Sequence, residues 1–135
     1  MKREWKEPAV RIAGILLVAL LLVPVAGADA RAADPARGEQ LFRKCVSCHT
    51  LEANGRNRVG PRLHGLFGRV AGSVEDFRYS DALKSSGIIW NEQTLNAYLK
   101  DAEAFVPGTK MYGGLSLDQD REDLIGYLKQ ATAPH

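Results

Sequence analysis

Hydrophobic positions along this chain form one unbroken apolar run, followed by short patches at helical spacing. The run covers residues 12–28, behind Lys2, Arg3, Lys6 and Arg11, and small residues follow it. Ala30-Arg31-Ala32 offers an A-x-A-like cleavage site, with Ala26-Gly27-Ala28 as an alternative. A basic head, an apolar middle and a small-residue end predict a secretory signal peptide over residues 1–32. The run is short for a membrane span and contains Pro24, and an uncleaved anchor is the alternative.

Beyond it, Asp34-Pro35 reads as an N-cap with proline at the first helical position. It predicts a helix to about Cys45 with Leu41 and Phe42 inward. Residues 50–79 are rich in Gly, Asn and Pro without sustained periodicity, and are expected to be irregular. Ser80 or Asp81 caps a short helix ending before Gly87, and Asn91 caps another with Leu95, Tyr98 and Leu99 at helical spacing. Ser116 or Asp118 starts the last helix, whose Leu117, Arg121, Leu124 and Leu128 share a face alongside Ile125. Asp118, Asp120, Glu122 and Asp123 suit its positive N-terminal end. No strand alternation and no repeats interrupt this pattern. The expected fold is all-α with long loops, and residues 33–135 suffice for one small domain.

Candidate chemistry sits where the first of these helices ends. Cys45-Val46-Ser47-Cys48-His49 matches the attachment site of a c-type haem. Two thiols add across the porphyrin vinyl groups, and the histidine on the same turn offers its imidazole as the proximal iron ligand. The chain has only two cysteines, no second CxxC and no HxxxH, so zinc would lack ligands at suitable spacing. A thioredoxin-like site needs CxxC after a strand in a βαβ unit, whereas these flanks read as helix. A disulfide across two residues gives a tight loop that suits redox sites better than structural stapling.

The other axial ligand is sought among few candidates. Met1 is the initiator, which leaves Met111 as the one usable thioether, in Pro107-Gly108-Thr109-Lys110-Met111. Pro-Gly followed by polar residues is loop chemistry. A lone methionine more often fills gaps in a core, but on a loop in a chain with CxxCH it reads as an axial ligand. The competing imidazoles are His64, in Leu63-His64-Gly65-Leu66, and His135 at the chain end.

Taken together, CVSCHTLE, VGPRLHGLFGR, FRYSDAL, the tryptophan of GIIW, LNAYL, PGTKM and REDLIGYLKQAT resemble the small class I cytochromes c across residues 38–132. The resemblance implies a cytochrome c fold wrapped around one covalently bound haem c, with iron between His49 and Met111. It implies that Gly38 permits close approach of the first and last helices near Leu124 and Tyr127. It assigns the Pro61 carbonyl to the other imidazole nitrogen of His49. Arg69, Tyr79 and Trp90 take the haem propionates, Tyr98 lies near the Met111 sulfur, and Thr109 lies near a propionate. Three departures stand out: Leu83 where many relatives have asparagine, Asp101 and Glu103 where mitochondrial relatives have lysines, and Gly113 in place of an aromatic.

Charge separates partner classes. The chain is +2, but residues 1–32 carry five basic and three acidic groups, so residues 33–135 hold thirteen of each. General affinity for nucleic acid is not expected. Residues 37–69 hold seven Lys/Arg against Glu39 and Glu52, while 70–135 hold six against ten acids. Arg43, Lys44, Arg56, Arg58 and Lys110 form either a basic rim that steers an acidic partner or a plain solvated face.

The expected function is single-electron transfer, because two occupied axial positions leave no open coordination site for a substrate. No enzyme activity, no small-molecule substrate and a monomer are expected. The carrier docks transiently with redox complexes, some of them in membranes, as donor and acceptor, after export to the periplasm. A haem subunit of a larger respiratory complex, and a peroxidase or thiol-redox enzyme, are the alternatives.

Overall fold

The computed structural model describes residues 31–134. Residues 1–30, which hold most of the expected signal peptide, and His135 lie outside the described residues.

Five helices follow in order: α1 Pro35–Phe42, α2 Asp81–Ser85, α3 Glu92–Lys100, α4 Ala102–Phe105 and α5 Asp118–Ala131. The starts of α1, α2 and α3 obey the capping chemistry of the sequence, whereas α5 starts behind Leu117 with no side-chain cap bond. Asp34 accepts the N–H groups of Ala36 and Arg37 ahead of Pro35. Ser80 accepts from Leu83, and Asn91 closes a reciprocal capping box with Thr94.

One boundary differs from expectation, and one short helix has no counterpart in it. The α-helix ends at Phe42 rather than Cys45, because Lys44 and Cys45 donate to Leu41 and Phe42, three residues back. Tight turns then run on to Cys48. The segment after Lys100 is not simple loop: Asp101 ends α3 and caps α4, accepting from Ala104 N–H at 2.9 Å. Residues 50–79 are irregular as expected, apart from an isolated antiparallel bridge between Val70 and Ile89.

The chain ends meet where α1 packs on α5. A Cβ on Gly38 would lie 2.0 Å from Asp123 O and 2.7 Å from Tyr127 Cβ, so only glycine fits. Asp123, fully buried, spans the junction. Its carboxylate accepts from Asp34 N–H at 2.8 Å, from Arg37 Nη1 at 2.5 Å and from Gln119 Nε2 at 2.9 Å. Burial alone would raise its pKa, but the Asp34 N–H, Gln119 and Arg37 bonds outweigh that and hold it below the ordinary aspartate value. Arg121 is buried on α5 as expected, with its guanidinium on Asn96, Asp118 and the carbonyls of Leu115 and Ser116. Leu117 is not in the core: it stands 62% exposed at the N-cap of α5.

Phe42, Leu66, Trp90, Leu95, Tyr98, Leu99, Leu124, Ile125 and Leu128 belong to one buried cluster, with Leu41, Cys45, Tyr79 and Met111 packed against it. Each large side chain removed from water contributes roughly 1.5–3 kcal/mol.

Candidate haem site

Cys45, Cys48 and His49 sit on one tight turn. Cys48 N–H and His49 N–H both donate to Cys45 O, at 3.0 and 2.9 Å. That brings both thiols and the imidazole to the same end of α1. As bare thiols they are half-buried and not joined in a disulfide. Burial pushes the Cys45 thiol up, with Cys48 adding to the rise and Lys44 opposing it. A reactive redox cysteine has the opposite shift.

His49 Nδ1 lies 2.7 Å from Pro61 O. A carbonyl can only accept, so Nδ1 carries the proton and Nε2 keeps its lone pair. Burial lowers the pKa of His49 against the opposing effect of the Pro61 bond, which favours the neutral ligand form. Gly60 was missed in the sequence: a Cβ there would stand 2.3 Å from His49 Cε1. Gly60 N–H also donates to Cys48 O at 2.9 Å, and Arg58 Nη1 to Val46 O at 2.6 Å. The imidazole therefore lies in a slot that only glycine leaves open.

All ten sequence-predicted residues line one cavity of about 440 Å³: Cys45, Cys48, His49, Pro61, Arg69, Tyr79, Trp90, Tyr98, Thr109 and Met111. Its size falls within the ~300–1,000 Å³ of cofactor sites. Apolar walls come from Phe42, Leu66, Leu83, Leu99, Leu124 and Leu128. Leu83, buried at this wall, makes the position apolar where an asparagine would need partners.

Arg69 donates to His64 O at 2.7 Å and Arg62 O at 3.2 Å. Burial lowers its pKa, while Tyr79 raises it and Arg62 lowers it. Neither acceptor is a carboxylate, so this half-buried charge suits an anionic group in the cavity. Tyr98 and Thr109 hydroxyls bond each other at 2.6 Å, and Trp90 packs on Tyr98 at 5.1 Å between centroids. His64 stays away from this constellation and lends its carbonyl to Arg69. Among the described residues no cluster of three or more His, Cys, Asp or Glu could hold a metal.

One nitrogen donor, one thioether, two thiols and a partly charged apolar cavity fit a covalently attached haem. The comparisons agree. The cytochrome c family model matches residues 35–132. Cytochrome c2 of Blastochloris viridis is 45% identical over 119 residues, covering 87% of this chain and 94% of the relative. Cytochrome c of Gibberella zeae and that of Stellaria longipes are each 52% identical over 101 residues. They cover 73% of this chain, and 95% and 94% of their own lengths. With the site already assembled on an all-α frame, these matches settle its class: the chain belongs to the cytochrome c family. It is a mono-haem c-type electron carrier, and its cofactor is haem c.

Proposed function

We propose that the haem is held by thioether links from Cys45 and Cys48, with iron between His49 Nε2 and the Met111 sulfur. The observation that supports this most is the gathering of all four side chains around one cavity. The bound haem supplies a one-electron iron couple. Pro61 orients the imidazole and strengthens its donation. Arg69, Tyr79 and Trp90 receive the propionates, and the Tyr98–Thr109 pair steadies the loop on the Met111 side. With His49 and Met111 both holding the iron, no position would be left open to a substrate, so the protein would carry electrons rather than turn a substrate over.

Lys44, Arg78 and Lys110 are exposed at the cavity mouth, beside Val59 and Tyr112. A small basic and apolar rim favours brief docking on acidic redox partners, with salt-sensitive rates. Residues 1–32 act as a signal peptide for export, and residues 33–135 work as a monomer in the periplasm between respiratory complexes. The support for this is the basic, apolar and small-residue order of the N-terminus.

Stopped-flow mixing of the reduced protein with respiratory membranes tests the reading. Rapid oxidation that slows as salt rises is expected. Peroxide turnover by the unaltered protein that Met111→Ala does not change would contradict it.

A further inference from the structure

The loop carrying Met111 is held from two sides. On the inside, Thr109 is buried and its hydroxyl meets Tyr98. On the outside, α4 presents Glu103, whose Oε1 accepts the N–H of Gly108 at 3.1 Å. Gly108 stands at φ +88°, a conformation other residues rarely adopt, and a Cβ on it would lie 3.4 Å from Ala82 of α2. Thr109 N–H then turns back to Val106 O at 3.0 Å, and Met111 follows two residues on. Glycine lends this turn the most backbone freedom of any residue. The Glu103 side-chain oxygen gives its N–H an acceptor within the protein in place of water.

We propose that Glu103 is a positioning residue for Met111. Its carboxylate clamps Gly108 and keeps the loop closed with the thioether on the iron. The proposal rests on Met111 being the axial ligand. Glu103 acts through the Gly108 peptide, and α4, a four-residue helix capped by Asp101, sets the carboxylate one turn ahead of the loop.

Imidazole titration of the oxidised holoprotein, followed by loss of the near-infrared sulfur–iron band, reads this directly. Imidazole reaches the iron only when the loop is open, so its apparent affinity scales with the open fraction. Removing one hydrogen bond makes Glu103→Ala bind imidazole about 2- to 13-fold more tightly than the parent. Glu103→Gln keeps an acceptor oxygen and stays within about 2-fold of the parent. The far-UV unfolding midpoints of both variants stay near the parent's, which separates loop closure from general stability. Unchanged affinity in Glu103→Ala overturns the proposal, and so does Glu103→Gln behaving like Glu103→Ala. A parent without the sulfur band, or a band that survives Met111→Ala, overturns the ligand assignment itself.

Discussion

Replacing Gly38 by alanine adds one methyl at the tightest point between α1 and α5. The new Cβ would lie 2.0 Å from Asp123 O and 2.7 Å from Asp123 C, both backbone atoms that cannot rotate away. To reach even the near edge of ordinary contact, 3.4 Å, the helices must part by roughly 1.4 Å, enough to forfeit at least a quarter to a half of the dispersion well for atoms at that seam. Overpacking costs about 1–3 kcal/mol, and a backbone obstacle puts this case near 3. Parting also weakens the Asp34 N–H and Arg37 bonds to Asp123, about 1 kcal/mol more. Alanine returns about 1 kcal/mol through its better helix propensity. The net loss is about 3 kcal/mol, or roughly 12–24 °C in melting temperature for a domain of this size. Guanidinium unfolding of the holoprotein at pH 7, followed by far-UV circular dichroism, measures it. Gln40→Ala, on the exposed side of the same helix, serves as control and stays within about 0.5 kcal/mol of the parent. A Gly38→Ala protein as stable as the parent would show that propensity, not close packing, governs this position.

Other expectations follow from the same geometry. Gly60→Ala drives the His49 ring away from Pro61 O, weakens donation from the imidazole, and raises the reduction potential; an unchanged potential in spectroelectrochemistry would contradict the slot at Gly60. Because the pKa of Asp123 is lowered in the fold, its stabilisation is complete above the unfolded value near 4 and disappears as pH falls through the lower folded value. Asp123→Asn therefore loses about 1–3 kcal/mol at pH 7 and shows a flatter stability profile below about pH 4, which urea titrations across pH 2–7 would detect. A parallel profile in both proteins would remove Asp123 from the acid response.

Sequence patterns carried far where the chemistry is local. Asp34-Pro35, Ser80 and Asn91 mark helix starts through side chains that bond their own next turn, and all three do so. CxxCH announced the site for the same reason, since its two thiols and imidazole share one turn, whereas Pro61 came only through the resemblance and Gly60 not at all. What escaped is what the fold brings from far away or makes very short. Asp123 read as one of several acids suited to a helix dipole, yet its partners Asp34 and Arg37 lie 89 and 86 residues back. Helix α4 is too short to show any periodicity, and Asp101 could not be seen as both the end of one helix and the cap of the next. Leu117 matched the apolar face by spacing, but the helix begins only after it, so its side chain never turns inward.

Iron held by His49 and Met111 is the feature on which electron transfer by this chain depends. Near-infrared magnetic circular dichroism of the oxidised protein at pH 7 reports both axial donors in one spectrum. A nitrogen–thioether signature is predicted for the unaltered protein. A spectrum of two nitrogen donors, with Met111 in place, would contradict methionine ligation.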